Sequence, residues 1–95
     1  MESIIQDEKK CFITGATTDL HCHHIFGGGL RQKSEKYGLK VWLRSDYHNM
    51  SDKGVHFNRD LDLMLKKIGQ TVWQEKYEKT EQDFIKEFGK SWLDD

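Results

Sequence analysis

"DLHCHHIFGGGL" (residues 19–30) sets three of the chain's five histidines within four residues and follows them with three consecutive glycines. Side chains alternate along an extended segment, so His21 and His23 fall on one face and Cys22 and His24 on the other. The adjacent pair His23 and His24 therefore meets two different environments. β-Favouring residues on either side of Gly15 in "CFITGATTDLHCHHIF" (residues 11–26) predict a short hairpin whose second arm carries the histidines. The glycines would then open a loop, with room for a helical turn in "RQKSEKY".

Further along, "LKVWLR" (residues 39–44) alternates apolar and basic residues for most of its length, as a half-buried strand does. "SDYHNMSDKG" is turn-rich. From Val55 the spacing becomes helical: Val55, Leu61, Met64, Leu65 and Ile68 fall largely on one stripe, His56 sits in the first turn, and Gly69 is the expected terminator. "TVWQEKYEK" and "TEQDFIKEFGKSWL" predict further short helices, the last opening on a cap with Thr80 and Asp83. Two extended arms followed by helices make the expected fold class α+β.

The bulk composition bounds the rest. Ninety-five residues with 36% hydrophobic and 33% charged side chains suit one soluble globular domain with a small core, to which Trp42, Trp73, Phe84, Phe88 and Trp92 are expected to contribute. No apolar run approaches the roughly 18 residues that cross a bilayer, and "MESIIQDEKK" lacks the pattern of a secretory signal, so no membrane contact and a cytoplasmic location are expected. Cys11 and Cys22 are too few for a disulfide framework and read as reduced, packed thiols. The net charge of −1 argues against general nucleic-acid avidity, but residues 30–70 carry nine Lys/Arg against five Asp/Glu. Any basic face thus lies mid-chain.

Neutral imidazole is the commonest protein ligand for transition metals, and three such ligands with open coordination positions describe a catalytic site rather than a structural one. The histidines occur as His23 and His24 on the first arm, His48 after the second, and His56 at the helix. This pattern over residues 11–68 resembles the HNH, or ββα-metal (His-Me finger), endonucleases. In that family the first strand ends in a ligand followed at once by a general-base histidine, as in the His-His pair of the colicin DNase domains. A glycine-containing loop and second strand lead to another ligand, matched by His48 in "SDYHNM", and the helix gives the last, matched by His56 in "GVHFN".

The resemblance implies a ββα-metal motif buttressed by helices over residues 70–95, in one domain. It implies one divalent ion (Mg, Mn, Zn or Ni) held by His23, His48 and His56. His24 would take a proton from water, hydroxide would attack phosphorus, and the metal would stabilise the leaving 3′ oxygen. The implied partner is DNA, with duplex favoured, acted on by a monomer or homodimer. Small stand-alone members of this kind serve phages, which makes phage DNA processing or recombination the analogous role. Arg31, Lys33, Arg44 and Arg59 are the expected nucleic-acid contacts, Arg31 and Arg59 foremost, because they stand nearest the ligands in sequence.

Three departures from the family pattern set further expectations. Many members carry a structural zinc on two Cys-x-x-Cys pairs; the corresponding places here are Cys11, Thr14, Arg44 and Tyr47, so no structural zinc is expected. The family's middle asparagine would fall near Gly38 or Leu39, which leaves Ser34 or Tyr37 to steady the glycine loop. His48 and His56 are eight residues apart, about 12 Å along a straight helix, whereas two nitrogens on one ion lie at most about 4.2 Å apart. The segment must therefore fold back, with Asn49, Ser51, Asp52 and Gly54 suited to the turn; Asn58 or Asp46 would replace His48 as ligand if it did not. His21 is expected to face outward or to brace a neighbouring ring. A competing reading is a non-catalytic, metal-containing regulator that binds nucleic acid or protein. A ribonuclease with the same centre is a third.

Overall fold

The computed structural model describes residues 2–48 and 54–93. Its elements run β1 (Leu20–His24), α1 (Arg31–Tyr37), β2 (Lys40–Arg44), α2 (Ser45–His48), α3 (Arg59–Lys76) and α4 (Glu81–Phe88), with a 3-10 turn over Gly28–Leu30. β1 and β2 form a two-stranded antiparallel sheet in which His21 faces Leu43, His23 faces Val41 and His24 faces Lys40. The molecule is a compact α+β domain.

The predicted hairpin around Gly15 does not form. Residues 11–16 close a tight turn instead, with the Gly15 N–H donating to the Cys11 carbonyl at 2.8 Å and the Cys11 N–H to that of Ala16 at 2.8 Å. β1 finds its partner in β2, across α1, because Val41 and Leu43 present a wholly buried face for its histidine side. The open edge of β2 is covered by the N-terminal segment. Ser3 Oγ donates to the Lys40 carbonyl at 2.6 Å, the Trp42 N–H donates to Gln6 Oε1 at 2.7 Å, and the Phe12 N–H donates to the Trp42 carbonyl at 2.8 Å. These contacts satisfy backbone groups that an unpaired edge strand would expose.

α3 is one helix of 18 residues where sequence spacing suggests two. Gly69 does not end it but lies buried in its interior. A Cβ there would stand 3.3 Å from Ile25 and Phe26, so glycine lets α3 lie close against the residues that follow β1. The helix starts at Arg59, capped by Asn58, whose side chain accepts from the Leu61 N–H at 3.1 Å. His56 and Val55 therefore precede the helix, in a turn, and Met64 is exposed rather than on the buried stripe.

α4 begins as its sequence predicts, with Thr80 and Asp83 exchanging side-chain and backbone hydrogen bonds. The core joins Ile25, Phe26, Leu39, Val41, Leu43, Val55 and Leu65 to the rings of Trp73, Phe84 and Phe88, with Trp92 half-buried against it. Trp42 departs from expectation. It sits half-buried on the opposite face of the sheet with Lys9 Nζ 4.6 Å from its ring centre.

Candidate metal centre

The side-chain alternation of β1 places the first histidines. His23 turns inward and is only 5% exposed, while Cys22 is exposed on the other face. His48 ends α2, immediately beyond β2, so antiparallel pairing carries it back toward His21 and His23. The chain then folds back as the eight-residue spacing requires: the Val55 N–H donates to the Tyr47 carbonyl at 2.8 Å and the Phe57 N–H to that of Gly54 at 2.9 Å. Asn49, Ser51 and Asp52, expected to help make this turn, lie outside the described residues. His56 is thereby brought to His48, their Nε2 atoms 3.1 Å apart.

One ring nitrogen from each of His23, His48 and His56 lies within 4.8 Å of the others, so small ring rotations that bring the widest pair inside about 4.2 Å would let the three share a metal ion. The donor chemistry suits a first-row divalent cation. Among the described residues the buried His23 Nε2 has no hydrogen-bond partner, and an orphaned polar atom of this kind costs about 1–3 kcal/mol unless something satisfies it. Burial foremost, then the neighbouring rings of His48 and His56, pushes His23 down to about 3. His48 falls to about 4, again through burial first and then His56 and His21. Both rings are thus neutral at pH 7, with lone pairs available to a cation.

No known protein family, curated protein or solved structure matches this chain. What the site can do is therefore read from its own geometry.

His21 is drawn in as well. Its Nδ1 stands 3.0 Å from His48 Nδ1. A His48 that offers its Nε2 lone pair must carry its hydrogen on Nδ1, and His21 is placed to accept it. The ring thus braces His48 and fixes which nitrogen faces the cluster. The fallback ligands are occupied elsewhere: Asn58 caps α3, and Asp46 holds Arg44 through two bonds of 2.7 and 2.8 Å.

His24 lies beside the cluster, at the end of β1. It lines, with His23 and His56, a cavity of about 360 Å³ that also takes in Gly27, Asp62 and Lys66. Its Nε2 is 3.0 Å from Glu35 Oε1, and its Nδ1 accepts from Arg31 Nε at 3.4 Å. The loop between β1 and α1 is anchored by Ser34, a fully buried hydroxyl that donates to the Phe26 carbonyl at 2.8 Å and accepts from the Phe26 N–H at 3.0 Å.

The four basic residues singled out in the sequence separate into two groups. Arg31 stands at the start of α1 against His24, and Arg59 at the exposed start of α3, three residues after His56. Lys33 is turned toward α4, bonding the Glu87 carbonyl and lying 3.7 Å from the Glu87 carboxylate, while Arg44 is clamped to Asp46. Sequence reasoning missed Glu35, Asp62 and Lys66. The Asp62–Lys66 pair, 2.9 Å apart at i,i+4 spacing, looks in the sequence like any solvated helix face.

Proposed function

We propose that this chain is a divalent-metal-dependent endonuclease of the ββα-metal type, which hydrolyses phosphodiester bonds in DNA. The observation that carries the reading is the convergence of His23, His48 and His56, the buried Nε2 of His23 having no hydrogen-bond partner among the described residues, with His24 on the rim of the same cavity. A purely structural site has no use for that further imidazole. β1 carries His23 and His24, α2 carries His48 and the turn before α3 carries His56, a chain order that supports reading them as a ββα-metal centre.

In this reading His23, His48 and His56 hold the ion. When bound, it supplies Lewis-acid stabilisation of negative charge on the leaving 3′ oxygen. His24 takes the proton from an attacking water, a role in which imidazole is the side chain most often found. Arg31, seven residues after His24, and Arg59, three residues after His56, bind backbone phosphates. The substrate is duplex DNA, cut by a monomer or a homodimer in the cytoplasm, in phage DNA processing or recombination.

Nicking of supercoiled plasmid in the presence of Mg²⁺, Mn²⁺, Ni²⁺ or Zn²⁺ tests the proposal. Cleavage should require a divalent ion and disappear in His24→Ala while that variant still binds metal. A wild-type protein that binds metal but cuts nothing with any of the four would leave a metal-stabilised binding protein as the better reading. Parallel reactions on RNA and on single-stranded DNA fix the substrate class.

A further inference from the structure

Both nitrogens of the His24 ring are engaged, and the two contacts select the same tautomer. A carboxylate only accepts, so Nε2, at 3.0 Å from Glu35 Oε1, carries the hydrogen; an arginine Nε–H only donates, so Nδ1, at 3.4 Å from Arg31, is bare. Three elements make this arrangement. Arg31 and Glu35 are four residues apart on α1 and share one face, while Lys40 is the cross-strand partner of His24 and binds Glu35 Oε2 at 2.7 Å.

Resting on the hydrolytic reading above, we infer that Glu35 is the positioning residue for His24, fixing its tautomer and orientation and balancing the charge it gains. The Lys40 ammonium foremost, and then the His24 ring, hold the Glu35 carboxyl at about 2, so it is ionised at neutral pH. The unit has the logic of a carboxylate–imidazole pair, in which the acid orients the base without itself being protonated.

The proton path balances. An O–H bond of water breaks as Nδ1–H forms, and the hydroxide oxygen makes a new bond to phosphorus. The bond from phosphorus to the 3′ oxygen breaks with its electron pair on that oxygen, which takes a proton from solvent. Glu35 remains a carboxylate throughout and faces the imidazolium while it lasts. Arg31, whose contact with Nδ1 is long, transfers its guanidinium to the incoming phosphate and clears the bare nitrogen.

Glu35 is exposed on a helix, so Glu35→Ala leaves the fold intact. In plasmid nicking at saturating Mn²⁺, this variant should lose about 10–100-fold in kcat, with KM and Mn²⁺ affinity unchanged. Glu35→Gln keeps an acceptor but no charge, and should fall between the two. In metal-free, ¹⁵N-labelled protein at pH 7.5, His24 should give one protonated and one bare ring nitrogen, and Glu35→Ala should move the two shifts toward each other as the tautomers mix. An unchanged kcat in Glu35→Ala, a matching loss of Mn²⁺ affinity, or retention of the wild-type ring shifts overturns the inference. If no variant cleaves any substrate, the hydrolytic reading fails by itself, and the ring shifts still decide whether Glu35 sets the tautomer.

Discussion

At the scale of single residues, His23 is held at a cost that no group among the described residues offsets, since its buried Nε2 has no hydrogen-bond partner there. The ring's neutrality has a direct consequence for pH dependence. In the unfolded chain, histidines titrate near 6.5, while His23 and His48 titrate at about 3 and about 4 in the fold. Between those limits the unfolded state binds more protons, so the stability these rings confer is complete above about 6.5 and is lost as pH falls toward 4. The urea midpoint of metal-free protein should hold steady from pH 8 to pH 7, then fall steadily below 6.5; a midpoint level down to pH 4.5 contradicts the burial. His21 acts through its neighbour. His21→Ala should weaken Zn²⁺ or Ni²⁺ binding about 10–100-fold by calorimetry while leaving the fold intact, because His48 loses the group that fixes its tautomer. Alternation along β1 made the division between His23 and His24 legible in the sequence. Glu35 was not legible, since nothing in "RQKSEKY" distinguishes a carboxylate that meets a strand-end histidine from one that meets water.

At the scale of elements, local signals were readable where the chemistry was local. Thr80 and Asp83 announce the start of α4 because a capping box needs only four residues. Gly69 misled for the opposite reason: its use, the close approach of α3 to Ile25 and Phe26, depends on residues more than forty positions away. Gly69→Ala accordingly sets about 1 kcal/mol of helix propensity against overpacking of about 1–3 kcal/mol in the core. Ile25 and Phe26 are each 1% exposed and have little freedom to yield, so the variant should unfold at lower urea than wild type. Gly38 is more constrained still. It ends α1 at φ 73, and a Cβ would stand 2.3 Å from the Glu2 carbonyl oxygen, so Gly38→Ala should destabilise by about 1–3 kcal/mol and expose the edge of β2 to faster amide exchange. The pairing of β1 with β2 in place of an arm before Gly15 was not legible in the same way: alternation marks Val41 and Leu43 as a buried face but does not say which segment pairs with their strand.

At the scale of the molecule, the three candidate ligands come from β1, α2 and the turn before α3, so a metal bound by them would couple its binding to folding. No one of these segments holds the site by itself, so an unfolded chain offers the cation far less than the native one does. A ligand that binds only the folded state adds about 2.7 kcal/mol of stability at 100 times its dissociation constant, and in a domain this small each kcal/mol moves the melting temperature by about 4–8 °C. Saturating Zn²⁺ or Ni²⁺ should therefore raise the melting temperature by about 10–20 °C, and EDTA should reverse the rise. His23→Ala provides the sharper comparison. It removes a buried nitrogen with no partner among the described residues as well as a proposed ligand, so its metal-free form should lose less stability than burial of so large a ring would suggest, and its melting temperature should no longer respond to metal. Equal metal-induced shifts in wild type and His23→Ala would mean that the cation binds elsewhere, and the convergence of the three rings would then have to be explained by packing alone.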